Sequence, residues 1–133
     1  MTYRWVDHTA EVELEIEGPT GPAVFEAALR ALAELLGVDA EGAQPTIQRE
    51  LAAEAPDRAT LLAAWIEELA FLAESEGFVG TRLVDLDLGR DSLRATVDGV
   101  LGEPPPLVKA VTYHRLKFEP YGDGYVARVV LDV

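Results

Sequence analysis

Between residues 11 and 17 the chain alternates strictly: Val12, Leu14 and Ile16 interleave with Glu11, Glu13, Glu15 and Glu17. A period of two predicts a strand with one apolar and one acidic face. Gly18-Pro19 stops it, and the spacing then becomes helical. Pro22 suits a first turn, while Phe25, Ala28, Leu29, Leu32, Leu35 and Leu36 form one apolar stripe, with Gly37 as the expected C-terminal cap. Residues 38–45 read as a loop and Thr46–Leu51 as a short strand, weakened by the alanines that follow. Asp57 is a favourable N-cap for a second helix reaching about Glu76. That helix should bury Leu61, Leu62, Trp65, Leu69 and Leu72, turn Glu67, Glu68 and Glu74 to water, and end at Gly77.

The final third is patterned for strands. Leu83–Leu88 and Ser92–Val100 flank Gly89-Arg90-Asp91, and Leu93, Ala95 and Val97 alternate with Arg94, Thr96 and Asp98, which predicts a hairpin. A loop follows at Gly102-Glu103-Pro104-Pro105-Pro106. Val108–Phe118 and Tyr125–Val133 then bracket Tyr121-Gly122-Asp123-Gly124, a second hairpin whose glycines permit a tight turn. Two helices among about six strands, most of them joined by hairpins, predict an α+β fold. The expected architecture is a single domain over residues 1–133, with two helices packed on a largely antiparallel β-sheet.

Length and charge narrow the function. A chain of 133 residues, 49% hydrophobic and 26% charged, can build one substantial core. Eleven Lys and Arg against twenty-four Asp and Glu leave a formal charge of -13, which repels a phosphate backbone. Stable direct binding of RNA is therefore not expected, and any link to nucleic acid should pass through a partner. The absence of Cys removes thiolate metal sites, cysteine nucleophiles and disulfides. No signal-peptide pattern and no apolar run of about eighteen residues occurs, so a cytoplasmic protein without a membrane segment is expected.

Three clusters could bear chemistry. Asp7-His8-Thr9-Ala10-Glu11 puts two carboxylates and an imidazole just before the alternating strand. Such a set can bind a metal or exchange protons; alternatively Asp7 and Thr9 satisfy a turn while His8 packs on the sheet. At the other end, Asp132 and Val133 bring a carboxylate next to a main-chain terminus. With Glu11 nearby they could close an oxygen-only site for a hard cation such as calcium; otherwise Asp132 is solvated or pairs with Arg128. The third cluster, Lys109 to Lys117, would place Lys109, Val111, Tyr113, Arg115 and Lys117 on one face of a strand and His114 on the other. That basic side could dock an acidic partner or a nucleotide phosphate, or simply guard an edge strand. Signatures of an enzyme are missing: there is no GxGxxG turn, Walker A loop, HExxH or GxSxG elbow, and the only serines are Ser75 and Ser92. Trp5, Trp65 and Phe71 read as core or interface aromatics.

Taken together, Asp7-His8-Thr9-Ala10-Glu11, Gly102-Glu103, Val108-Lys109-Ala110-Val111-Thr112-Tyr113-His114 and Leu131-Asp132-Val133 resemble the archease family in order and spacing along the whole chain. The resemblance implies an accessory protein of RtcB, the GTP-dependent ligase that joins RNA ends in tRNA splicing and RNA repair. Members of the family are not themselves the ligase; they speed formation of its guanylate intermediate, support multiple turnover and can broaden nucleotide use. GTP thus belongs to the partner ligase. The resemblance also implies a site for calcium or another divalent metal, formed here by Glu11, the Asp132 side chain and a main-chain or terminal oxygen of Val133. Asp is usual where this chain has Glu11, and the added methylene shifts the carboxylate by about an ångström or more. Asp7, His8, Lys109, Tyr113 and His114 are then the expected partner-contacting positions. Two other classes use the same residues. A calcium-binding interaction or chaperone-like module would act without a ligase, and a small metal-dependent hydrolase would use His8, Glu11 and His114 and turn over a phosphoester alone.

Overall fold

In a computed structural model, which describes residues 1–42, 44 and 47–133, the alternating segment is the second strand of a four-stranded sheet. The elements run β1 (Thr2–His8), β2 (Glu11–Gly18), α1 (Gly21–Leu35), β3 (Ile47–Glu54), α2 (Arg58–Glu76), β4 (Phe78–Leu88), β5 (Ser92–Leu101), β6 (Ala110–Tyr121) and β7 (Gly124–Asp132). Strand order is β1-β2-β7-β6 in one sheet and β3-β5-β4 in a second, and each of these pairings is antiparallel. The α+β class, the two helices and both late hairpins are as the sequence predicts. The single sheet is not: the strands divide into two sheets that share one core with the helices.

Both helices start and stop for local reasons. Thr20 caps α1, its side-chain oxygen accepting from the Ala23 N–H at 3.2 Å, and Pro22 occupies the first turn. Asp57 and Thr60 form a reciprocal capping box at α2, and the Thr60 N–H holds the Asp57 carboxyl below its ordinary range. Gly77 ends α2 at φ 70, and its carbonyl accepts from the Gly102 N–H at 2.9 Å. A Cβ there would lie 2.3 Å from the Gly102 oxygen, so both conformation and space require glycine.

The core lies where the helices cover the inner faces of the two sheets. Leu14, Ile16, Val129 and Leu131 enter it from the four-stranded sheet, Phe78 and Val97 from the other, and Phe25 and Trp65 from the helices. Phe25 and Trp65 lie with ring centroids 6.4 Å apart, and the indole N–H donates to the Phe25 carbonyl at 3.0 Å. Burying each such side chain contributes about 1.5–3 kcal/mol. Phe71, by contrast, is exposed on α2.

Several element bounds differ from those the sequence predicts: β6 is shifted to Ala110–Tyr121, β5 and β7 move by a single residue, and β1, β3 and β4 depart further. β1 has no counterpart among the predicted strands; it is an edge strand whose Tyr3 and Trp5 turn inward while its other positions stay largely polar, so its alternation is faint. β3 runs on through the alanines to Glu54 because β5 supplies an unbroken partner from Gly99 to Ser92, and pairing overrides weak propensity. Thr46, the expected first residue of that strand, and positions 43 and 45 of the expected loop fall outside the described residues. β4 begins at Phe78, directly after the helix cap, and absorbs two register shifts before Asp85. Among the described residues no helix is long and apolar enough to cross a membrane.

Candidate functional site

The outer face of the four-stranded sheet brings together three of the residues singled out from the sequence, His8, Glu11 and Asp132. Cross-strand pairing sets His8 opposite Glu11, Glu11 opposite Asp132, and Asp132 opposite Ala110, a row that spans all four strands. Glu11 and Asp132 have the parity of Glu13 and Val130, opposite to the core residues Leu14 and Leu131, so both carboxylates lie on the outer face. Directly opposed residues of this kind have Cβ atoms about 5 Å apart. The row is closed by main-chain bonds: the Val133 N–H donates to the Ala10 carbonyl at 3.2 Å, and the Lys109 N–H donates to the Asp132 carbonyl at 2.8 Å. Ala10 itself takes φ 62 in the two-residue turn between β1 and β2. Asp7 lies apart from this row, because it pairs with Val12 and shares that residue's face.

One row farther along the sheet, Glu13 departs from the simple picture of an acidic, solvated face. It is only 3% exposed. Arg115 Nη1 donates to its Oε1 at 2.7 Å, His8 Nε2 stands 3.7 Å from the same oxygen, and Arg128 Nε stands 3.7 Å from Oε2. Arg128 therefore pairs with Glu13, and the alternative pairing with Asp132 is replaced. In the next row Arg4 hydrogen-bonds Glu15 and holds its carboxyl below the usual range. A depression of about 400 Å³ opens there, lined by Arg4, Glu15, Lys117 and Arg128 among others. Its cations already face carboxylates, Arg4 with Glu15 and Lys117 with Glu119 at 3.8 Å.

The expected basic face of the Lys109–Lys117 segment does not form. β6 pairs regularly with β7 up to Thr112 opposite Val130 and resumes at Lys117 opposite Arg128, so Tyr113 to Leu116 bulge out. Arg115, at φ 58, turns back onto Glu13. Alternation fails across this bulge, and of the cations predicted to line one side, Arg115 and Lys117 are met by carboxylates. Tyr113 and His114 project to solvent, with Tyr113 65% exposed. Neither sequence periodicity nor charge flags Glu13, Arg115 and Arg128 as a unit.

Among the described residues no group of three or more His, Asp or Glu side chains converges on one point that could hold a metal ion. The donor set at the row is two carboxylates, with main-chain oxygens at Ala10, Asp132 and Val133 around them; the first two of these oxygens already accept a hydrogen bond. All are hard oxygen donors of the type calcium and magnesium prefer. The two serines lie elsewhere, Ser75 on α2 bonded to the Phe71 carbonyl at 2.7 Å and Ser92 at the start of β5.

Comparison with known proteins bears on the family and the fold. Residues 3–133 match the model of the Archease protein family. The chain belongs to the archease family. It is 32% identical to the Protein archease of Pyrobaculum islandicum over 142 aligned positions, covering 100% of this chain and 96% of that one. The solution structure of Methanobacterium thermoautotrophicum protein 1598 superposes with a TM-score of 0.75 at 27% identity, covering 98% of each chain. A crystal structure from Thermotoga maritima, described as an archease and possible chaperone, shares the fold at a TM-score of 0.66 and 23% identity, covering 100% of this chain and 98% of that one.

Proposed function

We propose that this archease is an accessory factor of an RtcB-type GTP-dependent RNA ligase, promoting guanylylation and multiple turnover of the ligase in tRNA splicing and RNA repair. The observation that supports the reading most is the pairing of Glu11 with Asp132 on the outer sheet face, with Val133 tied to the Ala10 turn. Two carboxylates and the main-chain oxygen of Val133 would hold part of the shell of calcium or another hard divalent cation. Water or oxygens of a partner would complete the six to eight ligands such an ion takes. The ion would supply a local positive charge on an otherwise acidic surface. GTP and the covalent chemistry belong to the ligase; this chain contributes a docking face and carboxylates that organise charge beside the ligase's own nucleotide pocket. A net charge of -13 favours contact with a cationic protein surface over contact with RNA.

The test compares wild type with Asp132→Ala in stimulating guanylylation of the cognate ligase by GTP, each variant first shown to be folded by its melting curve. Asp132 is at the sheet margin and bonds the Lys109 N–H through its main-chain carbonyl, so the variant should fold. Loss of stimulation is expected. Undiminished stimulation by folded Asp132→Ala would rule out the carboxylate role, and suppression of generic protein aggregation in the absence of ligase would favour a chaperone-like module instead.

A further inference from the structure

The bulge in β6 is held from below by a residue that nothing in the proposed role yet uses. Between Thr112 and Lys117, β6 takes five steps while β7 takes two, from Val130 to Arg128. The extra residues form the Tyr113–Leu116 bulge, and Arg115 within it adopts φ 58, a conformation costly for any residue with a Cβ. Such strain persists only where surrounding contacts over-determine it. Here they do: the Arg115 side chain is bound to buried Glu13 at 2.7 Å, its carbonyl accepts from Arg128 Nη1 at 3.5 Å, and the His114 N–H donates to Thr112 Oγ1 at 3.3 Å. Glu13 also faces Arg128 and His8 at 3.7 Å each. A carboxylate on the solvent side of a sheet would ordinarily be wet; this one is enclosed by the bulge it anchors.

We propose that Glu13 is a positioning residue: by clamping Arg115 in its left-handed conformation it fixes the bulge, which opens just past the Glu13–Val130–Thr112 row, so that Tyr113 and His114 project as the surface that meets the ligase. This rests on the ligase reading above. An exposed tyrosine on a rigid loop is well suited to anchor a protein interface, because it offers a large contact area at small conformational cost. Glu13 touches neither the ligase nor a metal in this scheme. Its effect passes through Arg115.

Two measurements on the full chain test the proposal. The first needs no ligase: amide hydrogen exchange at residues 113–116 in wild type, Glu13→Ala and Glu13→Gln. Faster exchange is expected in Glu13→Ala and, to a smaller extent, in Glu13→Gln, which preserves the shape and one acceptor and secures a folded comparison. The second is a titration of ligase guanylylation against each protein. Glu13→Ala should raise the concentration for half-maximal stimulation about tenfold with the ceiling unchanged. Adding Arg115→Gly to Glu13→Ala should bring it back to within about threefold, because glycine adopts this φ without a clamp. A purely structural role predicts no such recovery. Unchanged exchange in both Glu13 variants overturns the clamp, and faster exchange with an unmoved midpoint overturns the docking role. Failure of the wild-type protein to stimulate at all sinks the ligase reading and the docking role together, while exchange still judges the clamp.

Discussion

Arg115→Ala compared with Arg115→Gly separates the two energies stored at the bulge. Both substitutions remove the donor at 2.7 Å from a Glu13 side chain that is 4% exposed. A charge-assisted hydrogen bond to a buried carboxylate is worth about 1.5–3 kcal/mol. Arg128 and His8 remain at 3.7 Å and soften the loss, and Arg115 itself is 47% exposed, so Arg115→Ala should cost about 2 kcal/mol. Alanine retains the penalty of φ 58, whereas glycine sheds about 1 kcal/mol of it, which leaves Arg115→Gly about 1 kcal/mol below wild type. Replacing the carboxylate as well, in Arg115→Ala/Glu13→Leu, should recover only part of the alanine loss, since Arg128, whose Nε faces Glu13 at 3.7 Å, then loses its own partner. Urea unfolding at neutral pH reads all three, with a common slope confirming that only stability has changed. Equal losses for alanine and glycine would refute the strain, and a loss under about 0.5 kcal/mol for alanine would reduce the pair to an ordinary surface contact.

Further outcomes follow from other parts of the fold. Asp57→Ala should lower stability by about 1 kcal/mol at neutral pH. Because the Asp57 carboxyl is held below its unfolded value of 3.8, its contribution is present above that pH and fades as pH falls through the folded value, so wild-type and variant unfolding midpoints should converge in acid. Gly77→Ala should cost about 2 kcal/mol or more in urea unfolding, the sum of a left-handed φ and a collision with the Gly102 carbonyl. Burial and the Glu34 carboxylate push the Tyr3 hydroxyl up from 10.0 to about 12. The folded state then keeps this proton longer than the unfolded chain, so that stability is intact below pH 10.0 and declines toward about 12. Tyr3→Phe should remove that alkaline decline in thermal melts run across this range.

How far the sequence discloses the structure depends on whether local pattern or distant pairing decides each element. β2, both helices and the two late hairpins carry their own signals: strict alternation, capping residues, and turn glycines. β1 and the long reach of β3 do not, because an edge strand of mixed polarity and a run of alanines become strands only when β2 and β5 pair with them. The division into two sheets is likewise a property of long-range pairing. At the candidate site, the motif order brings Glu11 and Asp132 forward, and register then sets them side by side. The Glu13–Arg115 contact joins residues 102 positions apart through a bulge, and no periodicity announces a break in its own period.

The most direct measurement is the rate at which the cognate RtcB-type ligase, at limiting concentration with GTP and divalent metal, becomes guanylylated and turns over RNA ends with and without this protein. An accessory role predicts faster guanylylation and several rounds of joining per ligase when the protein is present. A matched, demonstrably active ligase whose guanylylation and turnover are the same in its absence would contradict that role.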